Sequence, residues 1–210
     1  MPAIEDNAAA VSPKRARAYA ARVMFIASVL GLTAVGTIAG GARWLVLQDL
    51  IYARGTGWLA CGALWLSLCV SPVARLARRA FPNRRAAIPA PVLRRALGMT
   101  AAWFAMLHAL AALKGPLQND FAAALDTTHL MAGASALGVL LLLLLTSFDT
   151  WIKRLRLRYF KPLHRLAFAA ALLVLQHLAL SPSCPRWLVL VLTCTFAIGL
   201  ALRALPKLPR

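Results

Sequence analysis

The sequence predicts an all-α protein embedded in a membrane: one bundle of six transmembrane helices with both termini cytoplasmic. Its 210 residues are 61% hydrophobic and only 14% charged, with a mean hydropathy of +0.71, a more apolar chain than an ordinary soluble domain. Six apolar runs approach the about 20 helical residues that cross a hydrocarbon core about 30 Å thick. The 24 Lys and Arg residues gather in alternate connections between those runs.

The runs lie at 22–40, 57–75, 96–113, 129–148, 164–182 and 186–204. Lys14, Arg15, Arg17 and Arg22 precede or open the first. The second is followed by an Arg- and Pro-rich loop, 72–95, carrying Arg75, Arg78, Arg79, Arg84, Arg85, Arg94 and Arg95, and expected to lie along the membrane surface. The fourth is followed by Lys153, Arg154, Arg156, Arg158, Lys161 and Arg165, and the last by Arg203, Lys207 and Arg210. The other connections hold only Arg43, Arg54, Lys114 and Arg186. Basic residues accumulate in short cytoplasmic loops, which sets the orientation. Residues 1–21 are then a cytoplasmic tail, 22–204 the bundle and 205–210 a second cytoplasmic tail. A signal peptide cleaved near Ala39 to Ala42 is the competing reading of the first run. Its apolar stretch is longer than a signal h-region of about 7–15 residues, which favours an uncleaved helix.

Long continuous apolar runs exclude a closed barrel, so helices must satisfy the backbone polar groups. Gly31, Gly36, Gly98, Gly133 and Gly138 offer places where helices approach closely. The formal charge of +18 is explained by topology. Nucleic acid is not needed to account for it, whereas contact with the anionic headgroups of a lipid bilayer follows from it. Cys61, Cys69 and Cys194 lie within apolar runs and Cys184 in an outward loop, so no disulfide framework is expected.

Four histidines are the candidates for chemistry: His108, His129, His164 and His177. On this topology His108 (third helix) and His177 (fifth) reach similar depth near the outer face, and His164 lies near the inner face. His164 and His177 are thirteen residues apart, about 19.5 Å along a helix and roughly 140° around it, so they cannot share one iron. Neutral imidazole is the natural axial ligand for haem, whose macrocycle suits an apolar bundle. His108 with His177 is the preferred pair; the alternative is that both are interfacial residues. His129, beside Asp126, reads as interfacial.

The segments LSLCVSPVARLARR (66–79), RRALGMTAAWFAMLHALAALKG (94–115) and LLLLLTSFDTWIKRLRLRYFKPLHRLAFAAALLVLQHLAL (141–180) resemble the ferric-reductase-like transmembrane domain. More narrowly they are similar to the MsrQ (formerly YedZ) group, haem-binding membrane subunits of bacterial periplasmic methionine sulfoxide reductase systems. S-P-x-A-R, R-R-x-L-G, L-H, L-T-S, L-H-R-L and Q-H carry the resemblance across approximately 57–182. It implies a multi-pass protein of the bacterial inner membrane with one or two b haems, iron being held by His108 and His177, and by His164 if a second haem binds. Arg94 and Arg95 would contact haem propionates. The resemblance further implies electrons from a cytosolic flavin reductase or quinone, a periplasmic molybdenum-containing methionine sulfoxide reductase subunit as acceptor, and an association with flavin mononucleotide (FMN).

Two features depart from the resemblance. DTTHLMAG stands at 126–133 where an Arg-Pro-Tyr-like motif is usual, and Arg94 and Arg95 stand where two-haem relatives place a further histidine. No nucleotide-binding motif follows the sixth run, so electrons are expected from a separate donor. With six acidic residues outside the spans, no hydrolytic constellation can be assembled, and catalysis on methionine sulfoxide would belong to a partner. Two other readings stay open: a stand-alone haem protein with another acceptor, and a haem-free scaffold or transporter.

Overall fold

A computed structural model describes residues 13–40, 45–81, 89–120, 122, 126–148, 150–151 and 162–204. The tails 1–12 and 205–210, the stretch 82–88 with Arg84 and Arg85, and the basic stretch 152–161 lie outside the described residues. Six helices follow in order: α1 (Pro13–Gly40), α2 (Leu45–Ala80), α3 (Ala90–Lys114), α4 (Thr128–Thr146), α5 (Leu166–Leu180) and α6 (Arg186–Ala204). No strand occurs among the described residues.

Helix boundaries depart from the apolar runs where local chemistry overrides hydropathy. Residues 13–21, expected as tail, already belong to α1, which begins at a proline, the residue best tolerated in a first helical turn. The expected loop 72–95 is helical at both ends: α2 continues through Pro72 to Ala80, and α3 starts at Ala90. α5 is shorter than its run. Its first turn follows Pro162 to Arg165, and the chain turns extended at Ser181. Its 15 residues span about 22 Å. α2, α3, α4 and α6 contain segments long and apolar enough to cross a membrane, while Ala21–Thr33 and Leu166–Leu180 are shorter apolar helices. The chain is a multi-pass membrane protein.

Small residues set the packing. Ala101 and Ala102 of α3 and Ala170 and Ala171 of α5 are buried beside Cys61, Leu64, Trp65 and Leu68 of α2 and Leu140 of α4. With little side chain between them, these helices come close enough for dispersion to act between backbones, the chief source of association in lipid. α1 lies against α2 and α3, with Gly31 facing the ring of Phe104 and Leu59.

α6 is held at a few points. Trp65 Nε1 donates to Thr195 Oγ1 at 3.0 Å, and Phe196 packs near the rings of Trp65 and Phe168, at 6.2 and 6.3 Å. The third point arises from Pro72. Proline has no N–H for the carbonyl four residues back, so Leu68 loses its helical donor, and the Arg203 guanidinium donates to that oxygen. Arg203 also lies over the Phe168 ring, 4.9 Å from its centre, and Arg75 Nη1 donates to the Arg203 carbonyl at 3.3 Å. α2 and α6 thus exchange hydrogen bonds at one end of the bundle.

Two glycines test this packing. A Cβ on Gly31 would sit 2.7 Å from Phe104 Cζ, whereas one on Gly138 meets nothing within 4 Å. Phe104 is 2% exposed and cannot swing away, so Gly31→Ala should destabilise by about 1–3 kcal/mol. Gly138→Ala should be neutral or stabilising by up to about 1 kcal/mol. Thermal unfolding in detergent reads both, and equal effects would contradict this packing.

Candidate functional site

α2, α3, α4 and α5 run alternately up and down, which brings the start of α2, the end of α3, the start of α4 and the end of α5 together. Two imidazoles meet there. His108 on α3 and His177 on α5 have ring centres 6.3 Å apart, with planes at 73°. Both are half-buried and line a cavity of about 440 Å³, within the roughly 300–1,000 Å³ typical of ligand sites. Its walls are mainly apolar, among them Leu64, Ala105, Leu137, Leu140 and Val174. Arg54 and Trp58 line it from α2, and Ser181, Ser183 and Cys184 line it from the α5–α6 connection.

Each imidazole is seated in the same way. His108 Nδ1 donates to the Ala53 carbonyl of α2 at 2.7 Å, and His177 Nδ1 donates to the His129 carbonyl of α4 at 2.6 Å. A carbonyl can only accept, so both rings carry their proton on Nδ1, and in the neutral ring Nε2 is left as the lone-pair nitrogen. Four residues after each acceptor stands a glycine, Gly57 or Gly133. A Cβ there would lie 2.9 Å from His108 Nδ1 or 2.8 Å from His177 Nδ1. The absent side chain is what lets a ring reach a helix carbonyl, whose second lone pair accepts it beside the helical bond. On α2, the Thr56 hydroxyl is shared between the Tyr52 carbonyl at 2.8 Å and the Ala53 carbonyl at 3.0 Å.

His129, expected as an interfacial residue, sits at the site through its backbone oxygen, and its ring lies 5.9 Å from that of His177 at 31°. The remaining sequence candidates collect at the opposite, basic end. His164 precedes α5, and its Nε2 is 3.4 Å from Ser147 Oγ. The Arg95 guanidinium donates to the Ser147 carbonyl, and the Arg94 carbonyl accepts from Ser67 Oγ at 3.0 Å. The fold therefore joins His108 with His177 and groups His164 with Arg94 and Arg95. No cluster of three or more His, Cys, Asp or Glu side chains suited to a bare metal ion occurs among the described residues.

A family model described as the ferric reductase like transmembrane component matches residues 56–175, more than half of the chain. The chain belongs to the ferric-reductase-like transmembrane family. The match begins one residue before Gly57 and ends two before His177, so it spans the core of the four-helix site. Membership places this ferric-reductase-like protein among components of membrane electron transfer. No curated protein matches the chain.

Sequence reasoning missed Ala53, Gly57, Arg54 and the carbonyl of His129. The spacing of four in Ala53/Gly57 and His129/Gly133 was visible, but nothing in the sequence linked those pairs to particular histidines. The seats can be tested on the apoprotein by solid-state NMR of ¹⁵N-labelled histidine. Two neutral rings should carry the proton on Nδ1, and Gly57→Val and Gly133→Val should each perturb a different one. Unchanged histidine resonances in both variants would contradict the seating.

Proposed function

We propose that the protein is a b-type haem subunit of the bacterial inner membrane. It passes electrons from a cytosolic flavin reductase or quinone to a periplasmic molybdenum-containing methionine sulfoxide reductase subunit, in the manner of the MsrQ group. One observation carries the haem assignment: paired imidazoles whose Nδ1 atoms are held by facing helices, within an apolar cavity. The two ring centres are 6.3 Å apart, close enough for both side chains to reach one iron, which supports the haem reading. Metal-bound histidine commonly donates its other N–H to a backbone carbonyl, which fixes the tautomer and makes the ligand more basic.

Bound haem would supply a one-electron couple, and the chain would supply the setting. His108 and His177 would hold it through Nε2. Leu137, Leu140 and Val174 would keep water out. Arg54, the basic side chain lining the cavity, would offer a propionate a charge-assisted hydrogen bond. We place one haem at His108 and His177, since His164 lies at the opposite, basic end. FMN at the donor side remains part of the reading, and catalysis on the sulfoxide belongs to the partner. DTTHLMAG at 126–133 favours a second reading in which the same haem protein serves another acceptor.

His108→Ala and His177→Ala should each abolish the b-type reduced-minus-oxidised spectrum. His164→Ala should keep about one haem per chain by pyridine haemochrome. Full haem content in either of the first two variants would refute the pairing. Rapid reoxidation of the reduced protein by the molybdenum subunit supports the first acceptor, and failure to reoxidise favours the second reading.

A further inference from the structure

Five helix ends converge at the basic end: the C-termini of α2, α4 and α6 and the N-termini of α3 and α5. Arg75, Arg94, Arg95 and Arg203 gather there and are all partly buried, whereas Arg78, Arg79 and Arg165 at the same end are exposed. Arg203 carries the repulsion of Arg94 and of Arg75, and among the described residues no carboxylate offsets it. The described carboxylate side chains, Asp120 and Asp126, belong to the opposite end. Arg203 is engaged by the Gly199 and Leu68 carbonyls and Arg75 by the Arg203 carbonyl. The Arg94 guanidinium makes no hydrogen bond or ion pair among the described residues.

Partly buried like charges are costly unless an anion pairs with them. The surroundings say what kind. Leu200, one turn from Arg203 on α6, and Leu76, beside Arg75 on α2, are 42% and 43% exposed, so apolar surface adjoins the cluster. The cluster also sits at the end of membrane-crossing helices, at headgroup depth. A ligand with a phosphate and attached acyl chains satisfies both features at once, as basic pockets between transmembrane helices do for anionic lipids.

We propose that this end is a binding site for the phosphodiester of an anionic phospholipid. The phosphate pairs with Arg94 between Arg75 and Arg203, and so relieves the repulsion that works against seating α6 on α2. The site is independent of the haem assignment and stands or falls without it.

The test uses delipidated full-length protein in mild detergent, with short-chain phosphatidylglycerol or phosphatidylcholine added back, read by native mass spectrometry and by thermal unfolding. Phosphatidylglycerol should bind and raise Tm, and phosphatidylcholine should not. Arg94→Gln should weaken phosphatidylglycerol binding about tenfold or more, the loss of one hydrogen bond to a charged group. Arg78→Gln, which removes an equal charge from an exposed position at the same end, should leave binding unchanged. Equal responses of the wild-type protein to the two lipids would overturn the proposal, as would equal losses in the two variants. The same rise in Tm from inorganic phosphate or FMN alone would also overturn it, by making this a soluble-phosphate site. The wild-type comparison holds even if Arg94→Gln fails to fold.

Discussion

An imidazole N–H donating to a helix carbonyl over a missing Cβ is the interaction on which the site depends, and it occurs twice. Inside a membrane the backbone carbonyls are committed to the helical ladder, yet each keeps a second lone pair. Most helix positions hide that lone pair behind a side chain four residues on. At Gly57 and Gly133 there is none, so His108 and His177 reach the oxygens of Ala53 and His129. One acceptor lies on α2 and the other on α4. The two hydrogen bonds therefore tie α3 to α2 and α5 to α4 while fixing both tautomers and ring planes. Packing and chemistry share the same four atoms.

The bundle is chemically divided along its length. One end holds two seated imidazoles in an apolar cavity, and the other holds partly buried guanidiniums, of which those of Arg75, Arg95 and Arg203 close against backbone carbonyls. Pro72 belongs to this second arrangement: by withholding one N–H it leaves the Leu68 carbonyl for Arg203. A proline inside an α-helix usually costs about 3 kcal/mol. Here part of that cost is offset by a charge-assisted hydrogen bond from another helix.

Much of the fold was legible because it rests on one-dimensional signals. Long apolar runs gave the six helices, and alternating charge gave an up-and-down order in which His108 and His177 share an end. Local capping was less legible, so α2 overran its apolar stretch while α5 fell short of its own. For the site, residue type sufficed to single out His108 and His177, whose partnership needs only helix order. Their acceptors were hidden for a physical reason. A backbone carbonyl has no residue identity, so Ala53 and His129 act through atoms common to every residue. Arg54 was hidden too, since facing the cavity depends on the rotation of α2, which its hydropathy does not fix.

If His108 and His177 hold one iron, as proposed, they do so with their ring planes at the present angle. Low-temperature electron paramagnetic resonance of the oxidised protein reads that angle. Were both imidazoles to hold iron, each would raise one of two iron d orbitals, and nearly perpendicular planes would leave the two close in energy. Planes at 73° therefore predict a highly anisotropic low-spin ferric signal dominated by a single large g value. A high-spin signal would mean that one histidine is not a ligand. A well-resolved rhombic low-spin signal would mean parallel rings and would contradict the carbonyl seats.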